Sequence, residues 1–192
     1  MKKNFLFVHG VSGTVPWLTR LAEDIKSGGN EVMMPNLPIK KEATVEAWQG
    51  VLDGLKDRIG LNTVVVAHSL GCLAVVRFLV RVGIKINRIV FVAGFADLRV
   101  AGGLAKDTVD YLAGVIPPFI LTEQEKSEFK KLCKKRHCVY SDDDHLLALD
   151  NLKKFADDLN SEHVFIPNMG HFGSVSGVKD IPQVCALVCD CC

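Results

Sequence analysis

The feature that most constrains how this chain folds is the stretch Asn62-Thr63-Val64-Val65-Val66-Ala67-His68-Ser69-Leu70-Gly71-Cys72-Leu73-Ala74-Val75-Val76. Three consecutive valines bounded by a turn predict a strand buried on both faces of a parallel sheet, because β-branched side chains fit the pleat and nothing polar interrupts the run. Leu73, Val76, Leu79 and Val80 then recur at helical spacing, and Gly83 can close that helix in a left-handed conformation. Ser69 therefore falls on a sharp strand-to-helix turn. Ala67-x-Ser69-x-Gly71 is the small-x-Ser-x-small pattern of a nucleophile elbow, with alanine in place of the first glycine. Small flanking residues let two backbones come close while the serine takes a strained conformation that lifts Oγ clear of the sheet. The first N–H of the following helix, on Leu70, lacks an intrahelical partner and lies at the positive end of the helix dipole, so it is a candidate donor to an oxyanion.

The rest of the chain repeats the alternation. Strands are expected at Asn4 to Val8, Glu31 to Met34, Arg88 to Ala93, His137 to Tyr140 and His163 to Ile166. A helix starts at Pro16, carries Trp17, Leu18, Leu21, Ala22 and Ile25 on one face, and ends at Gly28-Gly29 with a left-handed glycine cap. Thr44 caps a second, with Ala47, Trp48, Val51, Leu52 and Leu55 on one face and Gly60 closing it. Further helices are expected from Thr122 to Cys133, Leu146 to Leu159 and Ile181 to about Leu187. Between Phe95 and Glu123, Ala101-Gly102-Gly103 and Pro117-Pro118 break the periodicity, so that stretch reads as pocket lining with Phe95 and Leu98 as candidate substrate contacts. Such alternation implies an α/β fold: one domain over 1–192, a three-layer α/β/α sandwich on a mostly parallel six-stranded sheet, with active groups at the carboxyl ends of the strands.

Composition narrows the partners. Hydrophobic residues make up 48% of the 192, the formal charge is +1, and acids and bases nearly balance, so neither a nucleic-acid nor a membrane face is implied and a small neutral molecule is the expected partner. The apolar run after the two leading lysines lasts four residues before His9-Gly10, which makes it a first strand rather than a signal peptide. No window approaches eighteen apolar residues; the expected location is cytoplasmic, where the seven cysteines would be thiols. Cys133 to Cys138 lacks the paired short spacings of a zinc site, and its lysines and arginine oppose a dication, so no metal is expected and Cys138 reads as core. The tail has no CaaX box and reads as a helix face, Cys185 and Cys189, followed by a frayed end. Gly10-Val11-Ser12-Gly13 lacks both the G-x-G-x-x-G spacing and a P-loop lysine, so no cofactor is implied.

A serine nucleophile needs a base, and histidine is matched to take its proton near neutrality. Of six histidines, His171 in Pro167-Asn168-Met169-Gly170-His171-Phe172-Gly173 stands directly after the last strand, where a loop can bring an imidazole to Oγ. The carboxylate that orients it is expected from Ser141-Asp142-Asp143-Asp144-His145 after strand five. The order Ser, Asp, His is that of α/β-hydrolases rather than of the chymotrypsin or subtilisin types.

Phe7-Val8-His9-Gly10, His68-Ser69-Leu70-Gly71, Ser141-Asp142-Asp143-Asp144 and Gly170-His171-Phe172 together resemble the α/β-hydrolase superfamily, and within it the small lidless serine hydrolases of the retinoblastoma-binding protein nine type, over essentially residues 1 to 190. In that family the acid precedes a proline in a Ser-x-x-Asp-Pro run. Counting from Ser141 this selects Asp144 over Asp143, although His145 replaces the proline. The spare aspartates then read as solvated residues and caps for the helix beginning at Leu146. The resemblance also places the second oxyanion N–H on Val11 and makes His9 a structural residue of that loop. What it implies is a cofactor-independent, esterase-like serine hydrolase: Ser69, His171 and Asp144 catalytic, Val11 and Leu70 at the oxyanion, and a small acyl substrate in an open, shallow pocket with little material for a lid. A catalytically weak protein-interaction module on the same fold is the alternative.

Overall fold

The computed structural model describes residues 3–189. Six strands, β1 (Asn4–Val8), β2 (Glu31–Met33), β3 (Thr63–His68), β4 (Arg88–Val92), β5 (Lys135–Tyr140) and β6 (Glu162–Phe165), form one sheet in the order β2-β1-β3-β4-β5-β6. Every pairing between these strands is parallel, so the sheet is all-parallel rather than mostly so. β3 lies at its centre, Val64 opposite Phe5 of β1 and Val65 opposite Ile89 of β4. Because successive side chains point to opposite faces, Val64 and Val66 join one core and Val65 and Ala67 the other.

Helices α1 (Pro16–Ser27) and α7 (Pro182–Val188) cover the first face, with Trp17, Leu18, Val184 and Val188 packed on Phe5, Phe7, Val90 and Val92. The other face carries α2 (Val45–Asp53), α3 (Leu70–Val82), α4 (Lys106–Val115), α5 (Glu123–Leu132) and α6 (Leu149–Asp158) over Leu6, Val8, Ile89 and Phe91. The chain goes from β1 outward to β2 and returns to place β3 on the other side of β1. That reversal opens a crevice where β1 and β3 end, the usual ligand position in open α/β sheets.

Helix ends explain several departures from expectation. Gly83 does close α3 at φ +68°, but α1 ends through Gly28 at φ −71° and it is Gly29, at +80°, that turns left-handed. α2 stops at Asp53 rather than running to Gly60: Gly54 caps it, a short 3-10 turn follows over Lys56–Arg58, and Gly60 instead shapes the turn into β3 by donating to Thr63 Oγ1. α6 begins at Leu149, not Leu146, because the carbonyl of Leu146 and the N–H of Ala148 are bonded to Ala101 and Arg99 of the preceding connection. The stretch expected to be irregular contains α4, with Leu112, Val115 and the capping residue Ile116 turned to the core at i, i+3 and i+4. Thr122 and Glu125 cap α5 reciprocally, in a capping box. No helix among the described residues is long and apolar enough to cross a membrane. The last three residues, including Cys191 and Cys192 of the tail, lie outside the described residues.

Candidate active site

Ser69 is the hinge between β3 and α3. Its backbone takes φ 54° and ψ −127°, a region costly to a side-chain-bearing residue by about 1–3 kcal/mol. The surroundings hold it there: the Ser69 N–H donates to Val92 O at 2.9 Å and its carbonyl accepts from Cys72 at 2.9 Å. Two positions later, a Cβ on Gly71 would lie 2.5 Å from His9 O and 2.8 Å from Val8 O, so only glycine lets α3 start this close to β1. Ala67, in place of the first glycine of the pattern, is fully buried in β3 and accommodated.

The three residues expected to act together do converge. His171 Nε2 is 2.9 Å from Ser69 Oγ, and His171 Nδ1 is 2.7 Å from Asp144 Oδ2. With the carboxylate accepting from Nδ1–H, Nε2 carries the lone pair and faces the hydroxyl. All three are buried. Burial by itself pushes the Asp144 carboxyl up, but the hydrogen bond and charge of His171, with the N–H groups of Leu146 and Leu147 at 2.9 and 3.0 Å, outweigh it and hold Asp144 below the usual carboxylate range.

Asp143, the rival acid, is engaged elsewhere. Asp142, Ser141 and Asp143 accept, in turn, the N–H groups of Asn168 (3.0 Å), Met169 (2.9 Å) and Gly170 (2.7 Å), while the Ser141 hydroxyl donates to Asp143 at 2.7 Å. The spare aspartates thus grip the neighbouring loop rather than cap a helix at Leu146; the carboxylate bonded to Leu146 is Asp144. From below, His68 Nε2–H donates to the His171 carbonyl at 2.9 Å and Trp17 Nε1–H to the Phe172 carbonyl at 2.7 Å. Five successive residues, 168 to 172, are each held by a side chain, and three of them have positive φ, Asn168, Gly170 and Phe172. This is how a loop keeps a costly conformation and one imidazole position.

His68 and Trp17 had no sequence signal for this role, since their partners lie more than a hundred residues away. His68 is fully enclosed and its Nδ1 has no hydrogen-bond partner. Burial, reinforced by the nearby His171, drives its pKa down to about 3, so it is neutral. His9 is also buried and held neutral chiefly by burial.

A cavity of about 180 Å³ opens beside Ser69. Its apolar wall comes from Val11, Leu70, Phe95, Leu112, Ile116 and Leu147, and Val11 and Leu70, the two residues whose N–H groups were assigned to the oxyanion, both line it. Phe95 stands where expected. Leu98 does not reach the cavity and packs partly buried against the core instead. Leu112 of α4 and Ile116, which caps it, form one wall, so the connection from Phe95 to Glu123 lines the pocket as expected. Cys138 and Cys133 are buried thiols pushed up by burial to about 12 and about 11, and no cluster among the described residues has the ligands for a metal ion.

A parallel sheet, a serine at the strained strand-to-helix turn, and a histidine and aspartate at the ends of later strands define an α/β-hydrolase-like protein. The chain belongs to the serine hydrolase family, whose model matches residues 5–190. YdeN of Bacillus subtilis (strain 168) is 26% identical over 188 residues, covering 96% of this chain and 93% of that protein. The crystal structure of the B. subtilis ydeN gene product superposes with a TM-score of 0.80 at 24% identity, over 97% of this chain and 96% of that one. The fold is shared more distantly with a carboxylesterase from the thaumarchaeon Nitrososphaera gargenis, with a TM-score of 0.69, 12% identity and coverage of 95% and 87%.

Proposed function

We propose that the protein is a cofactor-independent serine esterase that cleaves a small carboxylic ester, thioester or amide through an acyl-enzyme. The observation that carries this reading is the unbroken hydrogen-bonded chain from Ser69 Oγ through His171 to Asp144 at the mouth of an apolar cavity. Ser69 Oγ attacks the carbonyl carbon as His171 Nε2 takes its proton, and Asp144 stabilises the imidazolium without itself being protonated. The carbonyl oxygen becomes an oxyanion facing the Leu70 and Val11 N–H groups. Collapse of this intermediate breaks the bond to the leaving group, which takes the proton from His171. Water then repeats the sequence on the acyl-serine, giving the carboxylic acid and free Ser69. The buried thiols of Cys72, Cys133 and Cys138 suit a reducing cytoplasm as the setting.

The cavity sets substrate size. An apolar cavity of about 150 Å³ holds benzene, so 180 Å³ accommodates an acyl group of up to about six carbons. Each buried CH₂ contributes about 0.8 kcal/mol, roughly fourfold in kcat/KM, only while there is room. With p-nitrophenyl esters, kcat/KM should climb from acetate towards hexanoate and then level off or fall. Ser69→Ala should lose turnover on the order of a millionfold. Wild-type turnover in that variant would reject the reading, and a steady climb beyond about eight carbons would reject the size limit.

A further inference from the structure

We infer that His9 is a positioning residue for the oxyanion site: by gripping the Gly10 carbonyl it turns the Gly10–Val11 peptide so that the Val11 N–H faces the cavity above Ser69. This rests on the serine hydrolase reading above. His9 Nδ1 lies 2.8 Å from Gly10 O, and His9 Nε2 lies 3.2 Å from the N–H of Leu37. A backbone N–H can only donate, so Nε2 must be the bare nitrogen and Nδ1 must carry the hydrogen. The tautomer of His9 is therefore dictated from a loop 28 residues away, and that tautomer is the one able to donate to Gly10.

A trans peptide is planar, with its C=O and N–H pointing in opposite directions, and no peptide among the described residues is cis. Fixing the Gly10 carbonyl fixes the direction of the Val11 N–H. That carbonyl receives two donors, His9 Nδ1–H and, at 3.0 Å, the Gly13 N–H, while the Val11 carbonyl takes the Lys40 N–H at 2.9 Å. The unit is also in place over the nucleophile: a Cβ on Gly10 would stand 3.0 Å from Ser69 Cβ, and Gly10, Val11 and Ser69 line the same cavity. His9 is in turn held by the edge of Trp48, whose Nε1–H donates to Pro38 O at 2.7 Å. A chain of contacts thus runs from the 37–38 loop through one imidazole to one peptide plane.

Two substitutions separate this role from simple packing. Asparagine places an amide N–H near the Nδ1 position and can still donate to Gly10; glutamine reaches the Nε2 position, can accept from Leu37, and leaves Gly10 with the Gly13 donor alone. His9→Gln should lower kcat for p-nitrophenyl acetate about tenfold to a hundredfold, short of the 10²–10³ of losing an oxyanion donor outright, with KM unchanged. It should weaken a trifluoromethyl ketone, whose adduct places an oxyanion there, by the same factor. His9→Asn should stay within about threefold of wild type. Nitrogen-15 NMR of the wild-type histidines supplies a readout independent of variants and of activity: His9 should show a protonated Nδ1 and a bare Nε2. A glutamine variant with unchanged kcat, equal losses in both variants, or an Nε2–H tautomer would overturn the inference. A wild-type enzyme inert to the ester and to the ketone would overturn the serine hydrolase reading itself, and this inference with it.

Discussion

Acid should destabilise this protein through His68 well above the pH at which its buried imidazole accepts a proton. Its imidazole is enclosed, its Nε2–H is committed to the His171 carbonyl and its Nδ1 has no partner, so the folded protein binds a proton there only near pH 3, against 6.5 in the unfolded chain. Below pH 6.5 the unfolded state holds more protons, so stability falls as pH falls, and the loss ends only near the folded pKa. At pH 5.0 the gap is 1.5 pH units below 6.5, which at about 1.36 kcal/mol each gives about 2 kcal/mol relative to pH 7.5. His68→Gln keeps a donor at the Nε2 position and removes the titration. Urea unfolding at pH 7.5, 6.5, 5.5 and 5.0, followed by circular dichroism, should show wild type losing about 2 kcal/mol more than the variant across the series. His9 and His137, whose pKa values are also lowered chiefly by burial, add to the loss in both proteins equally and cancel in the comparison. Parallel pH dependences in the two proteins would mean that His68 accepts a proton within the fold, and the argument from its enclosed Nδ1 would fail.

Two substitutions probe the site more directly. Asp144→Asn can still accept from the Leu146 and Leu147 N–H groups, so it should fold normally while kcat falls by about 10⁴, because the amide no longer secures the His171 tautomer; steady-state kinetics beside a thermal melt checks this, and a loss under tenfold would remove Asp144 from the proposed mechanism. Gly71→Ala forces a methyl onto the backbone of His9 and Val8, and should cost about 2–3 kcal/mol, or roughly 5–10 °C in melting temperature. An unshifted melt would mean that α3 can move away from β1 at no cost.

Much of this was legible locally. The valine run and the helical spacing after Ser69 are each set within a dozen residues, and Gly71 is demanded by a contact that the strand–turn–helix pattern itself implies. The order of Ser69, Asp144 and His171 along the chain was readable too, but the choice of Asp144 over Asp143 came from family resemblance: nothing in three adjacent aspartates says which one faces the imidazole and which face the N–H groups of 168 and 170. Contacts that depend on the sheet bringing distant ends together left no trace, as with His68 and Trp17 under the His171 loop. Elsewhere a signal was present but masked. Leu112, Val115 and Ile116 keep helical spacing across Gly114 through the end of α4, and α6 starts late because Leu146 and Ala148 pair with the 99–101 segment, which helix propensity cannot anticipate.

The central claim is that Ser69 Oγ is a nucleophile activated by His171. Treating the purified protein with a fluorophosphonate and mapping the adduct by peptide mass spectrometry tests it most directly. One phosphonyl group on Ser69, absent from Ser69→Ala and strongly slowed in His171→Ala, is the expected result; an unlabelled wild type, or a label that persists on another residue in Ser69→Ala, would contradict it.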